Sequence, residues 1–145
     1  MPTVWTIGYE RLLPPQLVAE LEAARVARVL DVRFRPQSRR PGMSKTRLSE
    51  LLGDHGIAYE HRRELGTPAD LRFLFHSGRV AEGVAAYREH VEATAAGELD
   101  ALAAELVHAP RTALLCLEAD PAVCHRRVLT DALQARRPDV RVVDL

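Results

Sequence analysis

The sequence predicts an α/β fold: a single-domain, mainly parallel open sheet flanked by helices in a Rossmann-like three-layer arrangement. Short β-rich runs alternate with stretches whose apolar residues recur every three or four positions, the pattern of strands separated by amphipathic helices. At 145 residues the chain is long enough for one aliphatic core, and no repeat, low-complexity segment or linker divides it, so residues 1–145 are read as one domain. The opening segment reads as a β-α-β unit, whose two strands must run parallel because the crossover returns the chain to the same end.

The elements follow in order. Val4 to Ile7 is the first strand, ended by Gly8 and followed by Tyr9 and Glu10. Pro14 and Pro15 suit the start of a helix carrying Leu17, Val18, Leu21 and Ala24 on one stripe. Ala27 to Val32 is the second strand, and Ser44 is placed to cap a helix that buries Leu48, Leu51 and Leu52, with Gly56 near its end. Ile57 to His61 reads as a third strand. Beyond the Leu65 to Pro68 turn, three helical stretches follow, through Leu71 to Phe75, Val80 to Ala95 and Leu99 to Leu106, with Gly97 expected to separate the last two. These look like scaffolding. Thr112 to Cys116 is the fourth strand, Asp120 and Pro121 have the form of a helix start, and Val140 to Val143 closes the sheet.

Composition narrows the function classes. Formal net charge is zero, which argues against a generally basic nucleic-acid binder or a membrane-surface protein, and no apolar run reaches membrane-span length. Two cysteines make no disulfide framework, and the opening MPTVWTIG has no charged-then-apolar leader, so a cytoplasmic location is expected. Charge is nevertheless uneven. Between Arg33 and Arg47 lie Arg33, Arg35, Arg39, Arg40, Lys45 and Arg47 without one carboxylate. Cations at a helix N-terminus oppose the dipole, so Lys45 and Arg47 are better explained by a nearby anion than by helix stability.

The chemistry-bearing stretch is Leu114 to Arg127, LLCLEADPAVCHRR, with both cysteines in it. If the first, second and fourth strands are parallel, their carboxyl-end loops bring Tyr9 and Glu10, the arginine-rich loop, and Cys116, Glu118, Cys124, His125 and Arg126 to one edge. Cys124, His125 and Arg126 are expected in the first turns of the helix begun at Asp120, where backbone N–H groups favour an anion and lower a thiol pKa. His125 precedes Val128 and Leu129 by three and four positions and so faces the sheet, whereas Arg127 points to solvent. The competing reading of His125 is a core histidine satisfied by a backbone carbonyl, and that of Cys116 is simple packing. A zinc centre is not expected, because C-x7-C-H matches no usual structural spacing. A phosphatase or rhodanese loop needs an arginine six positions after its cysteine, and neither cysteine has one.

Six ordered motifs resemble a known family. TIGYE, DVR, the PQSRRPGMSK loop, HGIAYEH, ELGTP and C-x-E-x5-CHR are similar to the pattern of DUF488, the prokaryotic domains of unknown function numbered 488. Met43 stands where the family's pattern usually has phenylalanine, a mild apolar exchange. The resemblance implies a small α/β domain and marks Asp31, Arg33, Ser38, Arg39, Lys45, Cys116, Glu118, Cys124, His125 and Arg126 as signature residues. It implies no reaction and no cofactor.

The expectation is therefore an enzyme binding a phosphate-bearing small molecule or nucleic acid at the strand carboxyl edge. Arg33, Ser38, Arg39, Lys45, Tyr9, Cys116 and Arg126 are the candidate anion-binding residues. His125 is the candidate general acid or base, oriented by Glu118 or Asp31, and Cys124 the candidate nucleophile. Two alternatives stand beside it: a non-catalytic nucleotide or nucleic-acid binding module, and a Cys/His cluster that is only a structural metal or packing site.

Overall fold

The computed structural model describes residues 1–145. Five strands form one parallel sheet: β1 (Thr3–Gly8), β2 (Arg28–Asp31), β3 (Ala58–His61), β4 (Thr112–Cys116) and β5 (Arg141–Asp144). Their order is β3-β2-β4-β1-β5, so the fourth strand lies between the first two. Position in the sheet explains the composition of each strand. Central β4, TALLC, is buried at every residue, whereas edge strands β3 and β5 have only half-buried and exposed positions and carry charge.

Alternation along the strands divides the core in two. On one face Val4, Leu30, Leu114 and Cys116 pack with α4 (Val80–Thr94), α5 (Ala96–Glu105) and α6 (Arg126–Arg136) through Tyr87, Val91, Leu99, Leu102, Val128 and Leu133. On the other, Trp5, Ile7, Val29, Ala113 and Leu115 meet α1 (Pro14–Ala23) and α2 (Lys45–Asp54) through Leu17, Leu21, Leu48 and Leu52. Each such leucine contributes roughly 1.5–3 kcal/mol of transfer free energy, so the two stripes hold the layers together. A shorter helix, α3 (Ala69–His76), packs beside α4. No helix is long and apolar enough to cross a membrane.

Three local expectations are corrected. The helix pair α4 and α5 breaks at Ala95, not at Gly97, which lies inside α5. Ala95 leaves helical geometry at φ −137° while its N–H reaches Val91 O at 2.8 Å and its carbonyl accepts from Leu99 at 3.0 Å, so one buried residue ends one helix and starts the next. Ser44 occupies the N-cap of α2, but its hydroxyl turns to Ser38, accepting from that N–H at 3.0 Å instead of capping the helix. Finally, Asp120 caps only a 3-10 turn, Pro121–Val123, accepting from Ala122 N at 2.9 Å; Cys124 is extended and α6 begins at Arg126. The CHR triplet therefore enters α6 rather than riding on an established helix.

Parallel pairing puts the strand ends level. Gly8 is opposite Cys116 and Asp31 opposite Leu115, so three carboxyl-end loops open on one rim. The loops are clamped there. A Cβ on Gly8 would lie 1.7 Å from the Glu118 carbonyl oxygen, and one on Gly66 2.4 Å from Phe34 Cα, so both approaches require glycine.

Candidate functional site

At that rim a cleft is lined by Tyr9, Arg33 to Arg35, Gln37, Thr67, Arg72, Phe75, His76, Cys116, Glu118, Cys124 and His125. Its residues come from four separate stretches of chain. One wall rests on a knot at the end of β2. Arg33 Nε donates to Asp31 Oδ1 at 2.9 Å and its NH2 to Oδ2 at 2.7 Å, while NH1 reaches Met43 O at 2.7 Å and the Tyr9 hydroxyl at 3.2 Å. The Tyr59 hydroxyl donates to the same Asp31 carboxylate, and His61 Nε2 donates to the Arg33 carbonyl at 2.7 Å. Burial works against the Arg33 charge, yet the hydrogen-bonded Asp31 carboxylate raises its pKa further above the usual range. Burial, then the Asp31 hydrogen bond, likewise push the Tyr59 phenol up.

The floor is built from the other face of the sheet. Cys116, the last residue of β4, and Cys124, in the extended residue before α6, present their sulfurs to one ring nitrogen: His125 Nδ1 lies 3.8 Å from Cys116 Sγ and 3.6 Å from Cys124 Sγ. The opposite nitrogen, Nε2, is 2.7 Å from the Val32 carbonyl oxygen. That carbonyl accepts only a proton, so Nε2 carries one and a neutral ring leaves Nδ1 with its lone pair towards the sulfurs. Tyr87 packs edge-on against the ring at 5.2 Å between centroids, with its hydroxyl donating to Leu65 O. His125 is thus both things weighed from the sequence, a histidine held by a backbone carbonyl and one turned to two thiols.

Electrostatics differ sharply between the two thiols. For Cys124, burial opposes the thiolate, but the Cys116 hydrogen bond and the charges of His125 and Arg126 outweigh it and pull the pKa well below the usual thiol range. Cys116 moves the other way, pushed up by its hydrogen bond to Cys124 and by burial. Burial would lower His125, yet the Cys124 thiolate and its hydrogen bond raise it. Glu118 stands beside the pair, with Oε2 3.5 Å from Cys116 Sγ and Oε1 3.1 Å from His76 Nε2.

Several predicted residues take other places. Asp31 is consumed by Arg33 and Tyr59, and the ring of His125 is oriented by the Val32 carbonyl rather than by Asp31 or Glu118. Arg126 is fully buried behind the floor, donating to Thr6 Oγ1 at 3.1 Å and to the Glu118 carbonyl, so it braces the loop that carries Glu118. Ser38, whose hydroxyl accepts from Arg40 N at 3.1 Å, ties the basic loop together; Arg39 and Lys45 lie outside the cleft and are exposed. Arg40, part of the basic run but not among the candidate anion-binding residues, clamps that loop to the first one through the carbonyls of Tyr9, Glu10 and Leu12. The six motifs that resemble DUF488 are therefore joined in space as well as in order, and the family model described as "Domain of unknown function DUF488" matches residues 14–133. The chain belongs to the DUF488 family. No curated protein and no solved structure matches it. The DUF488 motif residues thus divide into loop braces, such as Ser38 and Arg126, and cleft residues, such as Cys116, Glu118, Cys124 and His125.

Sequence reasoning missed the wall opposite the knot. Thr67, Arg72, Phe75 and His76 line the cleft from α3 and the turn before it. A signal was present: Ala69, Arg72 and His76 recur at three-to-four spacing, so two basic residues share a helical face beside Phe75. Thr67 is 5 % exposed, and its buried hydroxyl has no hydrogen-bond partner. As for a metal, Cys116, Cys124 and His125 bring their donor atoms within 4.8 Å of one another, although their sequence spacing argued against a centre.

Proposed function

We propose that this protein is an enzyme that takes a phosphate-bearing substrate, a nucleotide or a nucleic-acid end, into the cleft at the strand carboxyl edge. One observation carries the reading: Arg35 and Arg72, which no carboxylate neutralises, stand around a floor made of Cys116, Cys124 and His125. The Asp31 knot and the Arg40 clamp are spent on contacts within the protein, so the remaining guanidiniums and the floor are what a ligand would meet. Arginine matches the planar face of a phosphate with two parallel hydrogen bonds, which favours that anion over a point-charge partner. The partnerless Thr67 hydroxyl offers one more contact for the same group. Arg33 keeps a single N–H on NH2 free of the knot, enough to touch the ligand and too little to hold it alone.

Cys124 and His125 are the residues proposed to meet the reacting atoms, with Glu118 at their side and Cys116 beneath. The test is a panel of nucleotides, phosphate monoesters and short oligonucleotides, scored for binding by calorimetry and for turnover by product analysis. Turnover lost in Cys124→Ala and His125→Ala, with binding lost in Arg72→Ala, is the expected pattern. A folded wild-type chain that neither binds nor converts any member of the panel overturns the proposal. Exposed Arg39, Lys45 and Arg47, which also lack acidic partners, favour a second reading in which the ligand is a nucleic-acid backbone. Steep loss of affinity with rising salt selects that reading, because each neutralised phosphate releases counterions; a shallow dependence selects the small ligand.

A further inference from the structure

We infer that Cys116, Cys124 and His125 form a binding site for a single zinc-class cation whose fourth coordination position faces the cleft. The argument is first one of distances. A tetrahedral zinc with metal–sulfur bonds of about 2.3 Å and a metal–nitrogen bond of about 2.0–2.1 Å sets sulfur–nitrogen edges of about 3.5–3.6 Å. The two edges in the protein are 3.8 Å and 3.6 Å. All three donor atoms fall within 4.8 Å of one another, so closing the third edge requires a shift of an ångström or less.

Donor chemistry points the same way. Two sulfurs and an imidazole are a soft to borderline set, suited to zinc and poorly suited to magnesium or calcium. A ligating histidine characteristically donates its other ring N–H to a carbonyl or carboxylate, which fixes the tautomer and aims the lone pair. His125 Nε2 makes that contact with the Val32 carbonyl at 2.7 Å, and Tyr87 holds the ring from its side. Cys116 ends central β4, and Cys124 and His125 lie in the turn that leads into α6, with His125 at its N-cap. Simple packing needs only one thiol to satisfy the second nitrogen of a buried histidine; here both sulfurs converge on the single lone pair of Nδ1, more than one hydrogen bond can use.

Three protein donors leave a tetrahedral ion one position short, and all three line the cleft, so that position is met by whatever enters it. Glu118, 3.5 Å from Cys116 Sγ, stands next to it as an acceptor for a proton. For the proposed enzyme, on which only this last step rests, such an ion would polarise an oxygen of the bound substrate. The sequence interval between Cys116 and Cys124 had concealed the site: the strand end and the turn before α6 are brought together by the fold, not by a compact loop.

The reduced full-length chain is titrated with cobalt(II) and, separately, with zinc against a competing chromophoric chelator. Expected are one equivalent of zinc per chain, a thiolate-to-cobalt charge-transfer band with intense tetrahedral visible bands, and a change in those bands when azide is added. Cys116→Ser and Cys124→Ser should each lower zinc affinity by about 100-fold or more. A folded, fully reduced wild-type chain that takes up neither metal overturns the site, as does zinc uptake unchanged in both serine variants. A cobalt spectrum indifferent to azide overturns the cleft-facing position. The wild-type titration needs no variant to fold. Zinc uptake with no phosphate binding sinks the substrate reading alone, and phosphate binding with no zinc uptake sinks the metal site alone.

Discussion

Two polar clusters meet at the same rim of the sheet, and they are finished to different degrees. In the Asp31 knot, nearly every hydrogen-bonding position is spent inside the protein: the carboxylate on Arg33 and Tyr59, the guanidinium on Asp31, Met43 and Tyr9. In the Cys116, Cys124 and His125 floor, Nε2 is spent on the Val32 carbonyl, while both sulfurs converge on the single lone pair of Nδ1 at 3.8 and 3.6 Å, more than one hydrogen bond can use. A buried ion pair tolerates burial only when its lone pairs and protons are matched, so the first cluster is a brace. The second holds its donors in place without using them up, which is how a site made for a ligand differs from one made for the fold.

The largest test of that contrast is Asp31→Ala, which leaves Arg33 as an uncompensated buried cation and should cost about 3–5 kcal/mol in urea denaturation. Pairing Asp31→Asn with Arg33→Met should recover much of the loss; a single variant as stable as wild type would mean that the knot is not a brace. Next comes Gly8→Ala, which drives a Cβ into the Glu118 carbonyl and should destabilise by about 3 kcal/mol, since a backbone atom cannot move aside cheaply. Arg72→Ala acts on the open side of the comparison. It should weaken phosphate binding by about 1.5–3 kcal/mol, read by calorimetry, and change stability by no more than about 0.5 kcal/mol.

Smaller still is the stability effect of Cys124→Ser in the metal-free chain, expected at about 1 kcal/mol or less, because serine keeps a hydrogen-bonding group beside His125 Nδ1 in nearly the same volume. A loss comparable to that of Asp31→Ala would erase the distinction between brace and site. The smallest effect lies away from the rim. At Glu105, burial opposes the charge, but Arg28 and then Arg62 outweigh it and hold the carboxyl below its usual range. A depressed folded pKa stabilises above the unfolded value of about 4.3 and loses that contribution as pH falls through the folded pKa. Glu105→Gln should therefore remove less than about 1 kcal/mol at neutral pH, and the difference from wild type should shrink as pH falls below about 4.3 and vanish once it is below the depressed folded pKa. A difference that persists in acid would assign Glu105 a packing role.

How far the site was legible depended on whether its residues announced themselves locally. Cys124, His125 and Glu118 stood out because thiols and a histidine clustered after an apolar strand, and they line the cleft. The arginine-rich loop stood out equally and proved mixed: Arg33 and Arg35 reach the cleft, while Arg40 clamps the loop to backbone carbonyls and Arg39 and Lys45 remain outside. Charge density along a chain cannot tell a guanidinium spent on a carbonyl from one left for a ligand. Arg72, His76 and Thr67 were passed over because α3 has an ordinary helical pattern and its second face gains meaning only against the rim.

Alternating periodicities of two and three to four were enough to determine a parallel α/β domain, because burial on both faces of a sheet and on one stripe of a helix is written in every element. Tertiary structure alone decided that β4 runs between β1 and β2, that His125 is aimed by Val32, a residue 93 positions away, and that Cys116 and Cys124 share one nitrogen. Those facts depend on strand order and on the angle at which the chain enters α6, and neither leaves a local trace in the sequence.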